Sequence, residues 1–288
     1  MAQLNGIISK LNGSAGNLTF RQVSDKTVVS EKIVRTTKRY TQRQQRVHLR
    51  LPNQIHMYQC LSQAISGSFE SSSGGMNCYN KFVHVNSVST PVFLTRGEVA
   101  GGACVAAHYQ ITDGSLSTIK VMLCDTAALT DIALGNLVID ADTTIAEFSN
   151  AVVNNNTGYI YGDNITFVSV RQTVNAVTGI PYCYAYAWSV TLNRISDAKL
   201  WNCCGNEGFC SVDCFLARNM PDSGCADAGN AGCPFSWIHT RIKDNKLLIS
   251  KQWLEGFNPL LDDYTGDGAY ERAVATYGGE VKRNMSLT

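Results

Sequence analysis

The stretch "YCYAYAWSVTLN", residues 182–193, decides the fold class because two kinds of side chain alternate strictly along it. Large apolar residues at Tyr182 and every second position to Leu192 alternate with small or polar ones. A period of two sustained over the whole stretch predicts a β-strand. The segment "NITFVSVRQTV", residues 164–174, is its predicted partner across the connection "NAVTGIP". The two segments predict an antiparallel sheet.

Further strands and a few helices are predicted around this pair. The segments "FSWIHTRI" and "KLLISKQWL" are typical of a second hairpin, which turns at Asp244 and Asn245. Strands are also expected near 91–96, 102–112 and 117–124, and short helices over 144–155 and 269–279. The predicted fold class is mainly β: an antiparallel β-sandwich, with the immunoglobulin-like form as one candidate.

The N-terminal part of the chain follows other patterns. Two β-prone runs flank "SDK" within residues 17–34 and predict a β-hairpin. Thr41 followed by Gln44 fits a capping box, so a helix is expected to begin at Thr41 and to run over 41–66. Pro52 either kinks this helix or begins a second one. Residues 76–86 are expected to form another short helix.

These patterns divide the chain into five predicted regions. They are an extended arm with a β-hairpin (1–40), a helical linker (41–90), a β-sandwich body (91–200), a Cys-rich insertion (201–233), and a C-terminal hairpin and helix that complete the body (234–288).

The charge of the chain is divided unevenly although the net charge is only +1. Residues 1–60 carry ten Lys or Arg against Asp25 and Glu31, whereas residues 61–288 carry fourteen Lys or Arg against twenty-one Asp or Glu. A basic segment on an acidic body indicates two kinds of partner, which are nucleic acid and the acidic body of a neighbouring copy.

The basic residues concentrate in "RTTKRYTQRQQRVHLR", residues 35–50. Only one aromatic residue, Tyr40, lies within it, and it matches no DNA-reading motif. Protein contacts are therefore favoured over phosphate contacts, which remain the alternative. The predicted interface combines these basic residues with apolar residues of the helix: Arg35, Lys38, Arg39, Arg43, Arg46, Arg50, Val47, Leu51 and Ile55.

The eleven cysteines fall into two groups. Cys60, Cys78, Cys104, Cys124 and Cys183 are scattered, and we expect them to be small buried hydrophobic residues. The other six crowd into the predicted insertion without a CxxC pair, so free thiols or disulfides formed late are favoured over a metal site. The candidates for disulfides are Cys203, Cys204, Cys210, Cys214, Cys225 and Cys233.

Sequence motifs for catalysis or for a cofactor are not found. There is no G-x-S-x-G, P-loop or H-E-x-x-H pattern, and the five histidines occur in unrelated contexts. The acidic run "DDYTGDG", residues 262–268, departs from the calcium-loop register and is predicted to be a surface turn. We expect a protein that is not an enzyme and that has no metal and no cofactor.

The N-terminus "MAQLNGIISK" has no apolar core of the length that a signal peptide needs, and no apolar run is long enough to span a membrane. We therefore expect synthesis in a bacterial cytoplasm and no membrane span. Export by lysis or by a dedicated machine would then place the protein in a virion or an extracellular assembly.

Several weak motifs follow one another along the chain: a Gly-rich start at Gly13–Gly16, a β-hairpin, the helix "TQRQQRVHLR" with Thr41, Gln44 or Gln45 and a downstream Arg, and the later segments "YGDNITFVSV", "GIPYCYAYAWSV" and "FSWIHTRIKDNKLLISKQWL". Their order resembles a domain-of-unknown-function family of Bacteroidota and their phages, whose hallmark is a Gly-rich start followed by a T-x-x-Q-x-x-x-R helix. The chain has Ser14 where the family has Lys, and residues 203–233 look like an insertion. The resemblance implies a structural protein of a phage or mobile element and no catalytic residues.

The leading hypothesis is a non-enzymatic structural subunit of a phage virion or related assembly, whose partners are copies of itself and other virion proteins. Its basic arm would dock on a neighbouring copy by strand addition and charge complementarity. One alternative is a nucleic-acid-binding packaging protein. Another is a surface or secreted binding module in which the aromatic strand 182–188 forms a glycan or protein site, although packing of these rings in a sandwich core is the favoured interpretation.

Overall fold

A computed structural model describes residues 2–3, 12–23, 26–32, 41–65, 69, 76–123, 128–140, 142–200, 234–256 and 258–277. The chain divides into two compact units, one of residues 1–44 with 72–75 and one of residues 45–71 with 76–288. Each unit is described by itself.

The first unit is a four-stranded antiparallel sheet. Its strands are β1 (Ala2–Gln3), β2 (Gly13–Ala15), β3 (Leu18–Val23) and β4 (Lys26–Glu31), in the order β1-β4-β3-β2. The hairpin predicted over 17–34 is confirmed by the pairing of β3 with β4, in which Phe20 lies opposite Val29. Among the described side chains of this sheet only that of Thr27 is buried. The described residues therefore give this sheet no apolar core.

Helix α1 (Gln42–Ala64) begins at the predicted position. The Thr41 N–H donates to Gln44 Oε1 at 3.0 Å, and the Gln44 N–H donates to Thr41 Oγ1 at 3.3 Å, so the predicted capping box is confirmed. The helix continues through Pro52, and the alternative of a second helix that begins there is wrong. Met57 and Leu61 of this helix are buried.

After α1, the described residues of the second unit form four further α-helices and eight strands. In chain order they are α2 (Cys78–Val85), α3 (Arg96–Ala100), β5 (Gln110–Thr112), β6 (Val121–Leu123), β7 (Ala128–Thr130), α4 (Ile145–Asn155), β8 (Asn164–Val174), β9 (Pro181–Thr191), β10 (Phe235–Lys243), β11 (Lys246–Ile249), β12 (Gln252–Trp253) and α5 (Gly266–Thr276). A short 3-10 helix, Pro259–Tyr264, precedes α5. The short helices predicted over 76–86 and 144–155 are confirmed as α2 and α4, and the one predicted over 269–279 as α5.

The main sheet has the antiparallel order β11-β10-β8-β9. Both predicted hairpins are confirmed: β8 pairs with β9 from Asn164–Thr191 to Val174–Pro181, and β10 pairs with β11. Asp244 and Asn245 form the turn of the second hairpin with φ angles of 51° and 58°. Asp and Asn tolerate this left-handed region better than most residues, and two consecutive positive φ angles match the twist of a tight hairpin.

Two apolar clusters cover the two faces of the main sheet. Val168 and Val170 of β8 face a cluster that contains Met57 and Leu61 of α1. Ile165 and Phe167, which alternate with them, belong to a second cluster with Phe148 and Val152 of α4. Because neighbouring residues of a strand point to opposite faces, α1 packs on one face of the sheet and α4 on the other. The mainly β prediction with antiparallel sheets is confirmed, and the β-sandwich stays a prediction.

Three of the predicted strands differ from the structure. Residues 91–95 form no strand and lead into α3, which has a capping box between Thr95 and Glu98. Of the strand predicted over 102–112, only β5 forms, and of the one over 117–124 only β6 forms within the described residues. The backbone between 103 and 109 is almost fully buried but forms no strand. The Cys104 N–H donates to Pro181 O of β9 and Tyr109 O accepts from the Leu254 N–H, but several of its other backbone groups bond to side chains.

Side-chain amides satisfy this buried segment. The Asn53 amide donates to Val105 O and accepts from the Val105 N–H, both at 2.8 Å. The Asn86 amide likewise donates to Gln110 O and accepts from the Gln110 N–H, both at 2.8 Å. Gln172 donates to Cys104 O at 3.0 Å and accepts from the Ala106 N–H at 2.8 Å. An amide side chain carries both an NH2 donor and an oxygen acceptor, so it can satisfy the N–H and C=O groups of this segment as a neighbouring strand would.

Candidate functional site

The basic face of α1 lies partly against its own chain. Arg46 Nη2 lies 3.3 Å from Asp267 Oδ1, in the first turn of α5, and the guanidinium of Arg46 lies 4.8 Å from the centre of the Tyr270 ring. Both charged side chains are mostly exposed, so the ion pair contributes little, about 0–1 kcal/mol. It joins the basic face of α1 to the first turn of α5 within the same chain.

The other predicted interface residues fall into three groups. Arg50 donates from Nη1 to Ser87 O at 3.1 Å, whereas Arg43 is exposed. Val47 is 60% exposed, although Leu51 and Ile55 on the same helix are half-buried. Arg35, Lys38 and Arg39 lie outside the described residues, so the structure places only six of the nine predicted interface residues, all of them on α1.

Asp163 forms a buried polar network with two residues of β10. His239 Nε2 lies 2.8 Å from Asp163 Oδ2, and Arg241 donates from Nε and Nη2 to the two carboxylate oxygens, each at 2.7 Å. The Ile160 N–H donates to the same carboxylate at 2.9 Å. The His239 ring stacks on Tyr159 with 4.5 Å between the ring centres. Sequence analysis did not find this network, because Asp163 lies 76 residues before His239 and 78 before Arg241 in the chain.

Burial and hydrogen bonding set the charges in this network. Burial lowers the pKa of His239 below its usual value and outweighs the neighbouring Asp163, so the ring is neutral at pH 7. Burial alone would raise the pKa of Asp163, but the hydrogen bonds from Arg241, Ile160 and His239 lower it. Asp163 and His239 are almost fully buried. We therefore assign the network to holding the 158–163 loop on β10 and not to contact with a substrate.

Three scattered cysteines meet where α1 crosses β9. The Cys60 thiol donates to Cys183 O at 3.4 Å, and the Cys183 thiol donates to Cys104 O at 3.4 Å. Burial raises the pKa of Cys60 to about 12, and the hydrogen bond with Cys183 together with burial raises the pKa of Cys104. The thiols of Cys60 and Cys104 are therefore protonated and unreactive. Among the described cysteines the expectation of small buried residues is confirmed for Cys104, whereas Cys60, Cys78 and Cys183 are only half-buried. Cys124 and the six cysteines of 203–233 lie outside the described residues.

The aromatic residues of β9 lie on the face opposite these thiols. Cys183, Ala185 and Ala187 pack against the cluster that contains α1. The alternating rings of Tyr182, Tyr184, Tyr186 and Trp188 therefore point to the other face. Trp188 packs against the cluster that contains α4, but Tyr184 is 52% exposed and Tyr182 and Tyr186 are only half-buried. The expectation that these rings fill a core is wrong for Tyr184, whereas Tyr182 and Tyr186 are covered in part.

The exposed rings are held in a defined arrangement. Tyr182 and Tyr184 meet edge to face with 5.0 Å between ring centres, and Tyr186 stacks on Trp188 at 6.0 Å. The hydrogen-bonding interaction with the Tyr182 side chain is the largest cause that raises the pKa of Tyr184. Arg171 of β8 lies directly across from Tyr184 on the same face. The rings thus form a fixed row and not a set of independent surface side chains.

A cleft of about 320 Å³ opens beside the first two rings. It is lined by Gly101, Asn175, Thr178, Ile180, Tyr182 and Tyr184. The C-terminal end of α3 approaches the cleft at Gly101, where a Cβ atom would lie 2.3 Å from Ile180 Cδ1. Glycine at this position therefore allows the close approach of the helix to the β8–β9 connection. The side-chain oxygen of Asn175 accepts from the N–H groups of Val177 and Thr178 and holds that connection in place.

Metal binding and membrane insertion find no support in the residues that the structure describes. No group of three His, Cys, Asp or Glu side chains is placed to hold a metal ion in that part of the chain. None of the described helices is both long enough and apolar enough to cross a membrane. The run 262–268, predicted as a surface turn, joins the 3-10 helix to α5 and begins that helix.

Comparisons with protein-family models, with curated proteins and with solved structures give no match to this chain. The resemblance to the Bacteroidota family stays a prediction from the order of its motifs.

Proposed function

We propose that the chain is a non-enzymatic structural subunit of a phage virion or a related extracellular assembly, and that copies of it join through the N-terminal sheet. The observation that carries the proposal is the lack of an apolar core in that sheet. Thr27 is its only buried side chain among the described residues, and Leu18 is 45% exposed. An antiparallel sheet is stable in water when one of its faces is covered.

The composition of the sheet supports a protein surface as its cover. The cross-strand pair of Phe20 and Val29 is half-buried and gives one face an apolar centre. The edge strands β1 and β2 are short, with two and three residues, and the edge of a sheet is where a further strand can add. A neighbouring copy would supply both the covering face and the added strand.

Charge favours a protein partner over nucleic acid. The first sixty residues are strongly basic, whereas the rest of the chain is acidic. Within the described residues, Arg46 pairs with Asp267 and Arg50 with a backbone oxygen of Ser87, so these arginines bind protein groups. The arginines and lysines before them, Arg35, Lys38, Arg39 and Arg43, are the proposed source of attraction to the acidic body of a second copy. Such charges steer docking and set its register more than they add affinity.

The same proposal includes a β-sandwich for the body, with an immunoglobulin-like form as one candidate. The two-stranded sheet of β5 and β12 is the support for it. Ile111 of β5 and Leu254 beside β12 share an apolar cluster with Val168 and Val170 of the main sheet. A small sheet therefore packs on the same face of the main sheet as α1.

Deletion of residues 1–40 tests the assembly proposal. This variant keeps the Thr41–Gln44 cap of α1 and removes most of the N-terminal sheet unit. We expect the full chain to form particles in negative-stain images and the shortened chain to be a monomer by light scattering, with an unchanged near-UV circular dichroism spectrum. A shortened chain that assembles like the full chain, or a full chain that stays monomeric at every concentration, would contradict the proposal.

Two full-length variants separate the sheet from its charges. Phe20→Ser with Val29→Ser removes the apolar centre of the exposed sheet and should abolish assembly at any salt concentration. Replacement of Arg35, Lys38 and Arg39 by Gln should slow assembly and remove most of its salt dependence. If the basic residues instead bind phosphate, filter binding to DNA will be strong and will fall steeply with salt.

A further inference from the structure

The row of aromatic rings on β9 has a composition that the proposed assembly through the N-terminal sheet does not require. Three tyrosines lie at alternate positions of one strand and share a partly exposed face, although a solvent-facing strand is usually polar at such positions. Tyrosines with a hydroxyl in solvent and a ring half in contact with protein are typical of recognition surfaces. The row continues into the cleft through Tyr182 and Tyr184.

The lining of the cleft restricts the ligand. Its volume of about 320 Å³ lies at the lower end of the range for small-molecule sites. No charged side chain is among its six lining residues, which offer two phenols, the amide of Asn175, the hydroxyl of Thr178 and the apolar side chain of Ile180. This set pairs neutral hydrogen-bonding groups with flat apolar rings, so it matches a ligand with many hydroxyls and apolar C–H faces.

We infer that this surface binds a neutral oligosaccharide, with one sugar ring in the cleft against Tyr184 and further sugars along Tyr186. Pyranose rings present C–H faces that stack on aromatic rings, and their hydroxyls match the amide of Asn175 and the phenols. The inference does not depend on the assembly proposal, because Tyr184 and the cleft lie on the body and not on the N-terminal sheet.

A peptide that adds as a strand fits this end of β9 less well. The outer backbone edge there is already used, since the Cys104 N–H donates to Pro181 O at 2.9 Å and the Cys60 thiol donates to Cys183 O at 3.4 Å. An extended peptide would find these acceptors occupied. The face of the rings, in contrast to this edge, is open at Tyr184.

The test uses the purified full chain and four neutral hexasaccharides: cellohexaose, xylohexaose, maltohexaose and chitohexaose. Isothermal titration calorimetry should detect binding of at least one of them with a Kd in roughly the millimolar range or tighter. Tyr184→Ala should raise that Kd roughly tenfold, because the ring that stacks on the sugar is lost. Tyr184→Phe should retain most of the affinity.

Two further variants make the result specific. Tyr161→Ala removes another partly exposed tyrosine, which is bonded to Asn150 near the opposite end of β9, and should leave the Kd unchanged. Thr178→Arg places a long side chain in the cleft from an exposed position and should abolish binding even if Tyr184→Ala proves unstable. Lack of binding to all four sugars, or equal Kd values for the wild type and for a folded Tyr184→Ala or Thr178→Arg variant, would overturn the inference.

Discussion

Replacement of Asn53 by Ala should destabilise the body more than any ordinary polar substitution, because Asn53 stands in for a strand. Its amide is fully buried and makes three hydrogen bonds of 2.8–2.9 Å, two with the backbone of Val105 and one with the Tyr109 hydroxyl. Val105 is also fully buried, so water cannot replace the lost partner.

The expected loss follows from the groups left without a partner. A buried donor or acceptor that loses its hydrogen bond costs about 1–3 kcal/mol. Asn53→Ala leaves both the N–H and the C=O of Val105 without this partner. The free energy of unfolding should therefore fall by roughly 2–6 kcal/mol, a large share of the roughly 5–15 kcal/mol that holds a protein folded. Asn53→Asp keeps the acceptor but loses the donor, so it should be unfavourable as well.

Urea unfolding of the full chain, followed by tryptophan fluorescence at a fixed protein concentration, measures this loss. Asn80→Ala is the control, because the side chain of Asn80 is exposed on α2 and its loss should change the free energy of unfolding by less than about 0.5 kcal/mol. A loss below about 1 kcal/mol for Asn53→Ala would refute the view that this amide replaces strand pairing.

Two other predictions concern the buried titratable groups. The pKa of His239 is lowered in the folded state, so its contribution to stability is complete above pH 6.5 and is lost as the pH falls through the folded-state pKa. Urea unfolding at pH 7.5 and pH 5 should show that the free energy of unfolding decreases less between these pH values for His239→Gln, which can still donate to Asp163, than for the wild type. Equal decreases for the two proteins would count against this prediction. Burial raises the pKa of Cys60 to about 12, so iodoacetamide at pH 8 should alkylate Cys60 far more slowly in the folded chain than in urea. Peptide mass spectrometry can measure both rates, and equal rates would contradict a buried, protonated thiol.

Local patterns predicted the elements that local chemistry decides. The strict alternation in β9 and the Asp244–Asn245 turn predicted two hairpins, and the Thr41–Gln44 pair predicted the start of α1. Helix α3 was missed, although Thr95 and Glu98 form the same type of box and could have indicated it.

The wrong strand over 102–112 has a different cause. Its apolar composition shows that it is buried but does not show what pairs with its backbone. That information lies in Asn53, Asn86 and Gln172, which are polar residues in helices, loops or strands far away in the chain.

The site was less predictable than the fold. Alternation showed that β9 has an aromatic face and a small-residue face, but not which one is covered. The answer depends on Cys60 of α1, whose thiol approaches the backbone of Cys183, because small side chains on that face let the helix come close. The lining of the cleft combines the end of α3 with the β8–β9 connection, so no single stretch of sequence contains it.

The side-chain amides that bond the backbone of residues 103–110, here called amide clamps, also bear on the order of folding. Asn53 reaches across 52 positions of the chain to Val105, Gln172 across 66 to Ala106, and Asn258 across 152 to Ala106. Closing loops of this length costs chain entropy before any clamp can form, so residues 103–110 fold after the hairpins of the main sheet. Substitutions at the clamps should then accelerate unfolding while they leave the rate of folding almost unchanged.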